Sequence, residues 1–195
     1  MSTSTGARKK ALVVGISDYT SLQQLDFCKN DGTEVYDVLA SLGYEISDKN
    51  KLVGEANGEK VKDAIYDFFD DKRNNLDDTL VFYYSGHGVP DVDGEMYLAS
   101  SDAEPDKPYR RGFSFEDLRK RMENTIATRV VVILDCCYSG SAKISKGNEE
   151  DAAKRGRNSE EMLRMSYYLR ASSCSFHQSY YLRTSYYLLH HWNEY

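Results

Sequence analysis

The chain has 195 residues, 29% of them charged, and a formal net charge of −6. This length fits one α/β domain with a sizeable core. The acidic balance excludes the basic patch of a nucleic-acid-binding protein. No apolar run is long enough for a membrane span, and residues 1–10 lack the apolar segment of a signal peptide. We therefore expect neither a nucleic-acid nor a membrane partner.

The cysteine pattern argues against a disulfide-stabilised secreted protein. The chain has four cysteines, two of them adjacent at Cys136-Cys137. Such spacing does not resemble a disulfide framework, so a reducing, cytoplasmic location is expected. A reducing environment would also keep a catalytic thiol active.

The first half of the chain is predicted to alternate between strands and helices. Residues 1–10 are expected to form a disordered basic tail, followed by a buried strand at 11–16. A helix is predicted from about Asn30 to the stop at Gly43, and a second helix from Asn57-Gly58 to Asn74-Asn75. The apolar positions predicted to face inward on these two helices are Val35, Val38, Leu39, Leu42, Val61, Ala64, Ile65, Phe68 and Phe69.

Further strands and one helix are predicted from shorter sequence patterns. Weak strand candidates lie at 44–46 and at Leu52-Val53, and another short strand at 95–99. Ser114 has the spacing of a capping box and starts a helix that buries Leu118 and Met122. The alternation of strands and helices predicts a doubly wound or related α/β sandwich.

The last part of the chain divides into a linker and a short terminal region. Residues 143–159 are polar, carry both charges and have no apolar periodicity, which predicts a flexible linker. Within residues 160–195, a last strand is predicted at 167–171 and a final helix at 185–192.

Two buried strands end in chemically reactive residues. The apolar run 130–134 stops at Asp135-Cys136-Cys137, and the run 80–84 leads into Ser85-Gly86-His87-Gly88. Open α/β sheets bind their ligands at the carboxyl ends of their strands. If these two strands are neighbours, the imidazole of His87 and a thiol meet at one sheet edge. That pair makes a cysteine nucleophile with a histidine base.

Neighbouring groups fit acyl transfer. The backbone N–H groups of Gly88 and Cys137 could stabilise an oxyanion. Asp135 is two residues from Cys137, so on an extended strand end both side chains point to the same side. A carboxylate there would attract a cationic substrate side chain.

Two metal-site interpretations are weaker. Cys136-Cys137 with a histidine could be drawn as a zinc site, but adjacent cysteines do not readily chelate one ion. Aspartates at 91, 93, 102 and 106 could suggest calcium, yet the EF-hand pattern is missing and turn residues explain them better. We expect no metal site and no cofactor, with calcium activation left open.

Three motifs resemble those of a known family. Y-Y-S-G-H-G (83–88) is similar to the histidine motif of the caspase–metacaspase superfamily of cysteine peptidases, and D-C-C-Y-S-G (135–140) to its cysteine motif. The histidine precedes the second cysteine by 50 residues, as in caspases. L-D-F-C-K-N-D (25–31) is similar to the metacaspase C-x-N-D segment. Because Ser139 replaces the glycine of the caspase signature, the chain most resembles the metacaspase-like, prokaryotic-type branch.

The resemblance implies a fold. We expect a caspase-like three-layer sandwich, with a mainly parallel central sheet and helices on both faces. Residues 11–142 correspond to a large-subunit-like catalytic region, and residues 160–195 to a short small-subunit-like region of the same domain. Only 24 residues follow Ala171, so the C-terminal subunit is expected to be truncated. An open sheet edge there would bind a partner or a second copy.

The resemblance also implies an activity. It predicts an endopeptidase in which Cys137 is the nucleophile and His87 the base, while Cys136 faces the core. Two carboxylates in the pocket imply protein or peptide substrates with Arg or Lys before the cut. The implied pocket residues are Cys28, Asp31, Ser85 and Asp135, although Cys28 could instead be a small core residue.

Two further expectations concern regulation. Basic residues in the linker make self-cleavage possible, at Lys143, Lys146, Lys154, Arg155 or Arg157. The competing hypothesis is a catalytically weak caspase-like scaffold that acts by binding other proteins.

Overall fold

The structure is a computed structural model that describes residues 6–138 and 165–170. A short 3₁₀ turn, Asp48–Asn50, precedes the second strand. The helices and strands are β1 Lys9–Ile16, α1 Cys28–Ser41, β2 Lys51–Gly54, α2 Gly58–Phe69, β3 Thr79–Pro90, β4 Met96–Leu98, α3 Pro108–Arg111, β5 Phe113–Ser114, α4 Phe115–Asn124, β6 Arg129–Tyr138 and β7 Met165–Arg170.

A mainly parallel sheet forms the centre of the molecule. Five strands run parallel in the order β2-β1-β3-β6-β7. The hairpin-like pair β4 and β5 extends the sheet in antiparallel fashion from the last residues of β3. Since all five parallel strands point the same way, their carboxyl ends meet at one edge.

One face of the sheet is covered by α2 and α4. All five positions of α2 that the sequence predicts to face inward are buried, and the Asn57 side chain caps this helix by accepting from the Lys60 N–H. In α4 the Ser114 side chain accepts from the Asp117 N–H, and Leu118 and Met122 are buried. These predictions are confirmed.

The opposite face is covered by α1. Alternate residues of the central strands, among them Val13, Val81 and Tyr83, form a second cluster with Leu39 of this helix. With helices on both faces, the three-layer α/β sandwich predicted from the sequence is confirmed.

The orientation of α1 differs from the prediction. The helix begins at Cys28, two residues early, and Val38 and Leu42 are each 57% exposed, although periodicity placed them on the buried face. The cause is a backbone contact, because a Cβ on Gly32 would lie 3.2 Å from the Gly15 Cα. This close approach turns the side of α1 that carries Gly32 and Leu39 towards the sheet.

The amino-terminal tail is shorter than predicted. Strand β1 already includes Lys9 and Lys10, and the Lys10 ammonium lies 2.8 Å from the Asp71 carboxylate. Before the strand, the Arg8 guanidinium pairs with the Asp78 carboxylate at 2.6 Å. Arg8 and Lys10 therefore bind acidic partners in the folded domain, where the sequence predicted a disordered tail.

Several boundaries also differ from the sequence prediction. The predicted strand at 44–46 is reduced to one bridge between Lys10 and Glu45, and α2 ends at Phe69 instead of Asn74. Neither α3 nor β5 was predicted. Strand β7 confirms the last predicted strand, whereas residue 171, the linker and the final helix lie outside the described residues. In the described part, every helix is too short or too polar to cross a membrane.

The contact between α1 and β1 generates a stability prediction. A Cβ on Gly15 would lie 2.4 Å from the Cys28 carbonyl oxygen, so Gly15→Ala must push α1 away from the sheet. We expect the free energy of unfolding to fall by about 1–3 kcal/mol. Gly6→Ala is the matched control, because nothing lies within 4 Å of its Cβ position. Urea denaturation of both variants measures the difference, and equal stability would contradict the packing described.

Candidate active site

The register between β3 and β6 brings the predicted reactive residues together. His87 is paired with Cys137, and Ser85 with Asp135, in neighbouring parallel strands. Both strands continue through their motifs, further than the apolar runs suggested. The predicted meeting of histidine and cysteine at one sheet edge therefore matches the backbone register.

Cys136 and Cys137 are consecutive residues of β6, and consecutive strand positions alternate between the two faces of a sheet. Cys136 is 6% exposed and packs in the core cluster under α2 and α4, together with Val132 and Leu134. Since alternate strand residues face opposite sides, position 137 falls on the α1 face with Asp135. Cys136 is thus the core residue that the sequence predicted.

The imidazole of His87 is held through one of its nitrogens. Its Nε2 lies 2.8 Å from the backbone oxygen of Gln23, and the ring is buried, with His87 only 6% exposed. A carbonyl oxygen only accepts, so Nε2 carries a proton in this contact. Among the atoms that the structure describes, the buried Nδ1 has no hydrogen-bond partner. Nδ1 is therefore the nitrogen that can take a proton.

Two buried tyrosines hold the backbone of His87. Its N–H donates to the Tyr19 hydroxyl at 2.9 Å, and the Tyr84 hydroxyl lies 2.8 Å from its carbonyl oxygen. The rings of Tyr19 and His87 also touch, with centroids 4.8 Å apart. Burial raises the pKa of both phenols, so both stay protonated.

One glycine of the histidine motif, Gly86, has a steric explanation. A Cβ on Gly86 would lie 2.6 Å from the Tyr84 hydroxyl and 2.7 Å from that of Tyr19, so a side chain does not fit. Gly88, predicted to serve an oxyanion hole, pairs with Tyr138 on one side and Leu98 on the other. It lies one residue beyond the His87–Cys137 pair.

The predicted pocket residues converge from α1, β3 and β6. Gly15 pairs with Ser85, and the first turn of α1 rests directly on Gly15. That turn carries Cys28, which is buried, and Asp31, which is half-buried. The next strand places Asp135 beside Ser85.

Tyr83 lies two residues before Ser85 on β3 and therefore on the same face of the sheet. Burial raises the pKa of Tyr83 to about 12. Asp135, Asp31 and Cys28 contribute in the same direction, while a hydrogen bond with Ser85 opposes them.

The sequence interpretation missed the residues that support the site. Tyr83 and Tyr84 belong to β3, the strand of His87, and Tyr19 follows β1, which pairs with β3. The rule that parallel strands end at one edge could therefore have found them. The Gln23 contact could not have been found, because it uses a backbone carbonyl.

The aspartates considered for calcium have structural roles. The Asp91 carboxylate accepts from the N–H groups of Asp93 and Glu95, which closes a turn. The Asp102 carboxylate accepts from the Gly58 N–H at the start of α2. Within the described ranges, no group of three or more His, Cys, Asp or Glu side chains could hold a metal ion. The predicted cleavage residues between 143 and 157 lie outside those ranges.

Several known proteins are similar to this chain in sequence or in fold. The caspase-domain model of peptidase family C14 matches residues 8–184. Metacaspase-1A of Aspergillus terreus is 30% identical over 153 residues, and Metacaspase-1 of Lodderomyces elongisporus is 30% identical over 152 residues. Each alignment covers 69% of this chain. A crystal structure of a Geobacter sulfurreducens protein shares the fold, with a TM-score of 0.53 and 23% identity over 69% of this chain and 52% of that one.

The chain is shorter than these relatives. It spans 36% of the Aspergillus protein and 33% of the Lodderomyces protein. The family match nevertheless covers nearly the whole chain, including both reactive motifs. The chain belongs to the caspase-domain family of peptidases.

Proposed function

We propose that this protein is a cysteine endopeptidase that cleaves after Arg or Lys. The observation that carries the proposal is the register that pairs His87 with Cys137 and Ser85 with Asp135. It brings a nucleophile, a base and a carboxylate to the same sheet edge. Family membership supports the general activity, and the groups around Tyr83 support the preference for a basic residue.

The proposed reaction begins with proton transfer. Nδ1 of His87 accepts the proton of the Cys137 thiol, and the sulfur attacks the substrate carbonyl carbon. The N–H groups of Gly88 and Cys137 stabilise the oxyanion. When the C–N bond breaks, the leaving amine takes the proton from His87. Water, activated by the same imidazole, then hydrolyses the thioester and restores the thiol.

The proposed specificity rests on charge. Asp31 and Asp135 reach one site from α1 and β6, and a guanidinium or ammonium between them would offset their mutual repulsion. An aspartate in the substrate would add a third carboxylate to this partly buried site, which costs free energy. Ser85 and Cys28 are the other two residues of the proposed pocket.

The two cysteines provide the first test of mechanism. We expect Cys137→Ala to abolish cleavage of an Arg peptide, whereas Cys136→Ala keeps most of the activity because Cys136 only fills the core. Steady-state kinetics measure activity, and thermal unfolding checks that both variants fold. Assays with calcium and with a chelator show whether the ion matters.

The opposite result would assign the nucleophile to Cys136. Equal residual activity in both variants would remove the nucleophile from this motif. If an Arg-directed, thiol-reactive peptide fails to label the unaltered protein, the scaffold hypothesis replaces the enzyme.

The pocket provides the second test. Asp135→Asn and Asp31→Asn keep the side-chain shape but remove a charge, so kcat/KM for Arg peptides should fall about 10- to 100-fold for each. Asp106→Asn, at an exposed position, is the matched control. A peptide panel varying the residue before the cut measures the effect. Efficient cleavage after Asp by the unaltered protein contradicts the proposed specificity.

Self-cleavage is the third part of the proposal. The segment Lys154-Arg155-Gly156-Arg157 combines basic residues with a glycine, which suits a protease that cuts after Arg or Lys. Mass spectrometry of the purified protein should show fragments ending at one of these residues or at Lys143 or Lys146. None should form from Cys137→Ala. An unaltered chain that stays intact while cleaving Arg peptides would rule out processing.

A further inference from the structure

We propose that Tyr19 is a positioning residue that holds His87 in the geometry needed for proton transfer. The proposal rests on the proposed peptidase function. Tyr19 lies in the loop between β1 and α1, outside the histidine and cysteine motifs. It contacts His87 through both its hydroxyl and its ring, so it acts through the histidine and not on the substrate.

Two buried tyrosines hold the backbone of His87 on both sides. The His87 N–H donates to the Tyr19 hydroxyl at 2.9 Å. The Tyr84 hydroxyl lies 2.8 Å from the His87 carbonyl oxygen and 2.9 Å from that of Ala99, and carbonyls only accept, so the Tyr84 proton is directed at these carbonyls. Both hydroxyls lie beside Gly86, 2.7 Å (Tyr19) and 2.6 Å (Tyr84) from the position that a Cβ would take there, so the two tyrosines meet at the histidine motif.

The loop that carries Tyr19 is held by the side chain of Gln24. The Gln24 side chain binds both backbone groups of Tyr19, accepting from its N–H at 2.9 Å and donating to its carbonyl at 2.6 Å. Gln23, the residue before Gln24, supplies the backbone carbonyl that binds Nε2 of His87. One loop thus holds the backbone, the ring face and one nitrogen of His87.

These contacts fix the orientation of the His87 imidazole. With Nε2 bound and the ring packed against Tyr19, the imidazole has little freedom to rotate. Its Nδ1 is left as the nitrogen for the Cys137 proton. Proton transfer depends steeply on such alignment. Loss of the Tyr19 hydroxyl leaves the buried His87 N–H without its acceptor and loosens the imidazole.

The test is Tyr19→Phe, which keeps the ring and removes only the hydroxyl. We expect kcat for an Arg peptide to fall about tenfold or more while KM stays within about twofold. The dependence of kcat on pH should also change, on the side of the profile that is assigned to His87. Tyr109→Phe is the matched control, because Tyr109 is 53% exposed. Gln24→Ala, at an exposed position, loosens the same loop and should lower kcat in the same direction.

Two readouts make the test independent of peptide cleavage. Alkylation by iodoacetamide reports the reactivity of the Cys137 thiol and should slow in Tyr19→Phe. Nitrogen NMR of the His87 ring should show altered signals in Tyr19→Phe and unaltered signals in Tyr109→Phe. Thermal unfolding confirms that each variant is folded.

The outcomes separate this proposal from the proposed function. If the unaltered protein is active and Tyr19→Phe has the same kcat and pH profile, the positioning role is overturned while the peptidase stands. If the unaltered protein neither cleaves peptides nor reacts with the Arg-directed probe, the function fails. The NMR comparison then decides the positioning role, because unchanged His87 signals in Tyr19→Phe overturn it.

Discussion

The register between β3 and β6 is the constraint on which the site depends. The strands pair without interruption from Thr79 and Arg129 to Gly88 and Tyr138, so positions 87 and 137 become neighbours. A slip of one residue would move every side chain of one strand to the other face. Cys136 would then leave the core, and the buried residues of β6 would face α1. The alternating core pattern of both strands therefore fixes the site as well as the sheet.

A second constraint sets the distance between α1 and the sheet. Gly15 and Gly32 let the backbone of α1 contact the backbone of β1, and Gly15 pairs with Ser85 in the next strand. The first turn of the helix, which rests on Gly15, carries the half-buried Asp31. A larger residue at either glycine would separate helix and sheet. The position of α1 therefore depends on the absence of a side chain at these two glycines.

Much of this arrangement could be predicted from sequence, for identifiable reasons. The inward face of α2 followed from its periodicity, and the meeting of the two reactive motifs followed from parallel strands that end at one edge. The orientation of α1 could not be predicted, since Val38 and Leu42 fit a helical period but a backbone contact at Gly32 decides which side is buried. The contact between His87 and Gln23 could not be predicted either, because it uses a backbone carbonyl, which every residue has.

The most direct test of the proposed active site is the structure of a covalent complex. The purified protein would be reacted with a peptide chloromethyl ketone ending in arginine, and the adduct crystallised. We expect a bond from the Cys137 sulfur to the inhibitor methylene, with loss of chloride, and a guanidinium about 2.7–2.9 Å from the Asp31 and Asp135 carboxylates. Attachment at Cys28 or Cys136, or a guanidinium that lies away from both carboxylates, would contradict the proposed site.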